Sequence, residues 1–335
     1  MPQTIMNERR FQFTGDSANE ILMDPVFFDD DLISQYKLMP NVVSKKRIGF
    51  VENLEKIVRK YSGCGFTPVG NLNVYERTVE VEKMKIDMEM CFDEFQDTVF
   101  EETLRRGSRI ADLRGTLMYD IWIEKIREAL RLDIERIYHF GDASSSDPDY
   151  DQMNGWWTVH IPALVAANLI PRKDTGSGSL LTAGNGIAVI RDVVDNAPNE
   201  LKALPNNMKV INVTGYVYQR YIQDLEDGSN TTYAGDQGFL TLVNGVQVAT
   251  FRGIPVVPKW RWDTILENDL SVTVPNYVEY TTPMNKIIAT DTAQTNLSAS
   301  ELTVWFDEDS ETVKTKIRFK LGGTYAHPSL ISVGY

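Results

Sequence analysis

The chain has 335 residues, 42% of them apolar, and its 47 Asp and Glu against 34 Lys and Arg give a formal net charge of −13. That length and apolar share suffice for one large or two ordinary domains with a buried core. The acidic balance argues against tight nucleic-acid binding, which needs a clustered basic face; the one short basic cluster, Lys45-Lys46-Arg47, fits a solvated strand or helix entry.

Residues 1–47 read as an N-terminal arm. Phe11, Phe13, Phe27 and Phe28 stand among polar and acidic residues such as Asp29-Asp30-Asp31, a pattern for lying on another surface rather than packing a core. Met1 to Arg10 has no apolar segment, so a secretory signal is not expected. An arm helix is predicted over 48–62 from the stripe Val51, Leu54, Ile57, Val58 and Tyr61, with Gly63 and Gly65 at its end.

Residues 63–92 are the most informative stretch. Cys64-Gly-Phe-Thr-Pro-Val-Gly leads into a run from Val74 to Phe92 in which Met84, Ile86, Met88, Met90 and Phe92 face one way and Lys85, Asp87, Glu89 and Cys91 the other. Period two spells an extended strand with one dry face. The run is far longer than the usual strand of about 5–6 residues. A strand that outruns its own domain needs a cover for its apolar side, and a second copy of the chain is the natural one. Met84, Ile86, Met88 and Met90 are therefore the candidate inter-subunit residues of an extended β loop.

A helix is predicted over 93–106, with Phe95, Val99 and Leu104 inward and Gly107 as its stop. The strongest helix follows, from Thr116 to Phe140. Tyr119, Ile123, Ile126, Leu130, Ile134 and Ile137 keep steps of three and four, opposite Glu124, Arg127, Glu128, Arg131 and Glu135. Thr116 suits the N-cap and Gly141 the C′ position. Such a helix spans roughly 35 Å, the length of a spar along a domain.

Residues 142–155 and 172–186 are loops rich in Asp, Ser, Pro and Gly, on either side of an apolar segment with Trp156, Trp157, Ile161 and Leu164. The pattern then becomes α/β. A helix runs from Ile187 to Asp195, breaks at Pro198 and resumes through Leu204. Val210-Ile211-Asn212-Val213 is a buried strand, and Tyr218, Tyr221, Ile222 and Leu225 form a helical stripe ended by Gly228. Phe251 to Pro258 is a strand with a Gly–Pro irregularity, placed at an edge or a bend. Ile317, Phe319 and Leu321 alternate in a late strand, and Leu330 to Tyr335 forms the last. No internal repeat occurs, and no run of about 18 apolar residues offers a membrane-spanning helix.

Catalytic and binding patterns fail one by one. Cys64 and Cys91 make no CxxC pair and no Cys/His quartet, which argues against structural zinc and for a reduced, cytoplasmic history. Asp147, Asp149 and Asp151 resemble the start of a calcium loop, but Gln152 holds the glycine position and Thr158 that of the bidentate Glu, so a solvated turn is expected. The glycines between 176 and 186 lack a GxxxxGK(S/T) pattern and a preceding strand. His139, His160 and His327 are scattered, no GxSxG or HExxH occurs, and Cys91 in an alternating strand reads as a small apolar thiol. Asn212-Val-Thr and Asn230-Thr-Thr match the glycosylation pattern by chance. No catalytic, cofactor-binding or metal residue is assigned, and an enzyme is not expected.

The order of elements, together with Cys64 to Cys91, Ile187 to Leu204, Asn212 to Tyr221, Phe251 to Pro258 and the closing strands, resembles the major capsid proteins of tailed bacteriophages, especially phages of Bacteroidetes hosts. The resemblance covers about residues 45–335. It implies an α+β, Hong Kong 97-like capsid fold, with an N-terminal arm (1–47) and an extended β loop (63–92). It further implies a peripheral domain (93–186 and 301–335) around the spine helix 116–140, and an axial domain (187–300). It also implies self-assembly into hexamers and pentamers, an icosahedral shell around double-stranded DNA held only weakly, a portal, and a separate scaffold or decoration protein or none. Assembly would take place in the bacterial cytoplasm and the product would reside in the virion. A covalent cross-link is not assigned, although Lys83 and Lys85 lie in the loop. The readings set against it are an encapsulin-like shell and an acidic α/β enzyme.

Overall fold

A computed structural model describes residues 11–14, 35–51, 58, 60, 74–91, 117–226, 240–243, 246–291, 301–307, 310 and 312–335. Its strands are β1 (Phe11–Thr14), β2 (Lys37–Met39), β3 (Lys45–Val51), β4 (Val74–Glu80), β5 (Glu82–Cys91), β6 (Arg172–Lys173), β7 (Val210–Val213), β8 (Leu240–Val243), β9 (Val246–Phe251), β10 (Ile254–Pro258), β11 (Val278–Thr281), β12 (Lys286–Thr290), β13 (Glu301–Asp307), β14 (Thr312–Tyr325) and β15 (Ile331–Gly334). The helices are α1 (Leu117–Phe140), α2 (Ile161–Ala166), α3 (Asn185–Asp195), α4 (Asn199–Ala203), α5 (Gly215–Glu226) and α6 (Trp260–Thr264). The chain divides into two compact units, one of residues 1–29, 38–131 and 288–326, the other of 30–37, 132–287 and 327–335.

The first unit is organised on β14. Its 14 residues pair with β13, β12 and β5 in a six-stranded sheet that β1 and β2 complete. The alternation seen in the sequence is real: Val313, Thr315, Ile317, Phe319 and Leu321 are buried, and Arg318 between them is exposed. The α1 stripe packs as its period requires, with Ile123, Ile126 and Leu130 buried. Trp122 Nε1 donates to Thr315 Oγ1 at 2.9 Å, which ties the helix to the apolar face of the sheet.

Two expectations are corrected here. The long run is not one strand: it breaks at Val81, whose N–H is bound by Ser44 O at 3.0 Å, and β4 and β5 take different partners. At this junction Gly322 is required, because an added Cβ would come within 3.1 Å of Val81 Cα. The arm helix over 48–62 is likewise not found at 48–51, which belong to β3. β3 pairs antiparallel with β4 from Lys45↔Glu80 to Val51↔Val74, and Lys45–Glu80 and Arg47–Glu76 close as exposed ion pairs at 2.5 and 3.3 Å. Ile48 packs with Val42, Val79, Val81 and Ala289, a cross-strand core that local helical spacing does not reveal. Most of the helix stripe, the predicted helix 93–106, Thr116, Gly228 and Asn230 lie outside the described residues.

The second unit holds a seven-stranded sheet in the order β6-β15-β11-β7-β10-β9-β8, parallel at β7/β10 and β6/β15 and antiparallel elsewhere. Ile187, Ile190, Val193, Val217 and Tyr221 from α3 and α5 pack onto Ile211, Val213, Val256 and Val278. Pro198 separates α3 from α4, as expected. Asp224 of α5 accepts N–H bonds from Gly184, Gly186 and Ile187 at the start of α3, supplying that helix's missing acceptors.

Three more expectations are revised. Arg252 and Gly253, with φ of 51° and 76°, form the two-residue turn of the β9–β10 hairpin, and β10 then lies between β7 and β9 rather than at an edge. Residues 172–173 and 331–334, assigned to the peripheral part, pair in the sheet built on β7. Lys286–Thr290, assigned to the axial part, joins the six-stranded sheet. Each reflects pairing over a large sequence separation, which leaves no local signal.

Candidate assembly surface

The β5–β14 ladder has two unlike faces. Its register sets Met84 opposite Phe319, Ile86 opposite Ile317, Met88 opposite Thr315 and Met90 opposite Val313. The β14 members of these pairs are buried, and on β5 Met84 is 8% exposed, covered by its own chain. Ile86, Met88 and Met90 are only half-buried. No further strand pairs with β5 among the described residues. Its outward row of Lys83, Lys85, Asp87 and Glu89 carries the charges that keep an open edge from pairing at random. The arrangement is a sheet margin with an incompletely covered apolar row.

The second unit contains a polar cluster that the sequence did not reveal. Glu279 and Lys286, 0% and 1% exposed, pair at 3.1 Å, and Asn212 Nδ2 donates to the same Glu279 oxygen at 2.7 Å. Nearby, Tyr36 OH and His139 Nε2 share a hydrogen bond of 2.7 Å, and His139 is 0% exposed. Burial, and then the charges of Lys286 and Lys259, hold the His139 imidazole well below its usual range, so it is neutral at pH 7. Burial likewise raises the Tyr36 and Tyr138 hydroxyls well above theirs. These groups resemble catalytic material by type, but they are closed off from solvent and engaged with one another. Within the second unit they tie Tyr36 to His139, near the end of α1, and β7 to β11 and Lys286. The carboxyl of Asp263, at about 7, is raised by burial and accepts the Gly215 N–H at 2.8 Å.

The other candidates disperse. His327 Nδ1 accepts from Ser329 N, and His160 lies half-buried in the turn Trp156–His160. Cys91 is a free, half-buried thiol, and Cys64 lies outside the described residues. Asp147 Oδ1 accepts the Asp149 N–H at 3.0 Å in a turn, and among the described residues no group of three His, Cys, Asp or Glu could hold a metal. Asn212, first residue of one glycosylation-like triplet, is buried against Glu279. No described helix is long and apolar enough to cross a membrane.

Neither a protein-family model nor a curated protein sequence matches the chain. Solved structures do. A chain of the satellite phage P4 procapsid, a particle including a size determination protein, aligns with a TM-score of 0.52 at 12% identity, over 94% of this chain and 98% of that one. A chain from the capsid of an empty GTA particle gives 0.51 at 9% identity, over 90% and 88%. Gordonia phage Cozz gives 0.50 at 12% identity, over 90% and 84%. The fold is thus the α+β, Hong Kong 97-like fold of phage capsid proteins.

Proposed function

We propose that the chain is the major capsid protein of a tailed phage, assembling with itself into hexamers and pentamers that close as an icosahedral head. The observation that carries this reading is the shared fold over nearly the whole of this chain and of a procapsid chain. The half-buried row Ile86, Met88 and Met90, with Met84 at its buried end, supports it: each copy offers an apolar margin for a neighbour to cover. Many such contacts around a ring build stability through multiplicity. On this reading residues 1–47 are an arm, 63–92 the extended loop, α1 the spine, and the seven-stranded unit the axial part. The role is structural and not enzymatic. Double-stranded DNA fills the head and meets a shell whose acidic charge holds it weakly. A portal completes the head, with a separate scaffold or decoration protein or neither, and the head assembles in the host cytoplasm and is carried in the virion.

The test is to express the full chain, size it by light scattering and image it by electron microscopy. Closed shells or rings of five and six are expected. A protein that stays monomeric at every salt and concentration, with and without the products of neighbouring genes, would end the reading.

A further inference from the structure

An amine, a carboxamide and a carboxyl group meet in the core of the second unit. Asn212 of β7 and Glu279 of β11 are direct register partners, and Lys286 opens β12 just after the turn Pro283–Asn285. All three are enclosed, with 3%, 0% and 1% of their surface exposed. One oxygen, Glu279 Oε2, accepts from both Asn212 Nδ2 at 2.7 Å and Lys286 Nζ at 3.1 Å. Two bonds to a single atom hold the amine and the amide nitrogen within about 6 Å of each other. The ring of Tyr36 lies 5.3 Å from Lys286 Nζ and helps to keep water out.

As a permanent ion pair the cluster is incomplete. Glu279 Oε1 is buried and has no hydrogen-bond partner among the described residues. Lys286 Nζ carries three donors, and Glu279 is its one hydrogen-bond acceptor there. Buried charges with unfilled hydrogen-bonding positions are costly. Moving a proton from Lys286 to Glu279 removes both charges and leaves a neutral amine, a nucleophile, beside a carboxamide. A carboxyl group that touches both nitrogens can take a proton from one and deliver it to the other. Holding the reacting groups together in a dry core replaces the activation that amide exchange needs in water.

We propose that Lys286 and Asn212 of one chain join in an internal isopeptide bond, formed once after folding, with Glu279 as the proton carrier. Glu279 takes a proton from the Lys286 ammonium, and Nζ attacks Asn212 Cγ. The attacking nitrogen passes a second proton to the amide nitrogen, the Cγ–Nδ2 bond breaks, and ammonia leaves. Glu279 gives its proton to that ammonia and is a carboxylate again. One ammonium side chain and one primary amide thus become one secondary amide and an ammonium ion, with no oxidant or other reactant consumed. The product carries no buried charge on either partner and ties β7 to the start of β12. It closes a long loop, which limits the unfolded chain as a disulfide does. Freshly folded protein holds the ion pair, and aged protein holds the amide. The bond lies within one subunit, so it is independent of the shell reading.

The test is the mass of the full chain, incubated folded and then denatured. Wild-type protein should weigh about 17 Da less than its sequence, the mass of one ammonia. Digestion should release a branched peptide that joins the segment holding Asn212 to the one holding Lys286. Glu279→Gln keeps the size of the side chain but cannot accept the proton, and it should form the link at least about a hundredfold more slowly. Lys286→Arg should stay at full mass. The wild-type measurement needs no variant, so it decides even if a variant fails to fold. Full mass after prolonged folded incubation would overturn the proposal. So would a 17 Da loss without the branched peptide, as from ring closure at Asn244-Gly245. Linking of Glu279→Gln at the wild-type rate would overturn the part given to Glu279. Monomers and assembled particles can both be weighed, so failure here leaves the shell reading standing, and failure of the shell reading leaves this one.

Discussion

The two sheets of this chain are finished to different degrees. In the seven-stranded sheet, β11 and β15 are buried at every residue, and Ile211, Val213, Val256, Val278 and Val333 retain no exposed surface. In the six-stranded sheet, β14 is buried on one face, but its neighbour β5 keeps three of four apolar residues half open. The first sheet is completed by helices and strands of its own chain. The second has an apolar margin that its own chain covers in part, the form expected where a subunit's last contacts come from another molecule. Stability of the subunit should therefore reside in the first region, and competence to assemble in the second.

The strongest challenge to that division is a charge in the finished core. Val256→Asp should cost several kcal/mol and leave insoluble or unfolded protein. Circular dichroism and solubility check this; soluble, assembling Val256→Asp protein would mean the core is not where the stability lies. Next comes the buried ion pair. Glu279→Ala strands Lys286 and Asn212 and should cost about 3–5 kcal/mol, whereas Glu279→Leu with Lys286→Met should cost far less. Denaturant midpoints of the single and double variants decide between a paired lock and two independent residues.

A sharper contrast is expected at the margin. Met88→Asp should change subunit stability by about 1 kcal/mol or less, because Met88 is half-exposed already, yet it should abolish assembly. Unfolding curves and electron microscopy of the same preparation give both readouts. Equal loss of folding and assembly would show that β5 belongs to the subunit's own core.

The smallest expected effect is on pH dependence, confined to the finished region. His139 is held neutral by burial and by Lys286 and Lys259, so its folded pKa lies below the unfolded value of about 6.5. Below that value the unfolded chain binds a proton that the folded chain refuses, and stability falls with pH; above it the contribution is complete. Asp263 acts in the opposite sense. Its folded carboxyl titrates at about 7, so its stabilising contribution is lost as pH rises from about 4 through 7. His139→Gln should flatten the loss of melting temperature between pH 6.5 and 5, and an unchanged profile would show that another group governs the acid limb.

Much of this structure is written in local periodicity. The steps of three and four from Ile123 to Ile137 are the buried stripe of α1, Pro198 is the break between α3 and α4, and the alternation from Met84 to Met90 is the two-faced β5. These features were readable because a helix or strand repeats its burial every 3.6 or 2 residues, so its covered face shows in the residues themselves. The Arg252–Gly253 turn was half readable: its glycine marked an irregularity, but not that β10 would continue inside the sheet.

Partner choice left no such mark. Nothing near Lys45–Val51 indicates that it would pair with Val74–Glu80, or that Ile331–Gly334 would lie between Arg172–Lys173 and Val278–Thr281. The same holds for Glu279, one of 47 acidic residues, whose enclosure between Asn212 and Lys286 has no local sequence mark. The face a strand buries is a property of its own residues and could be read in order along the chain. Which strand lies beside it, and which charge ends up enclosed, depends on contacts closed over tens to hundreds of residues, where only the packing of the whole selects among alternatives that the local sequence supports equally well.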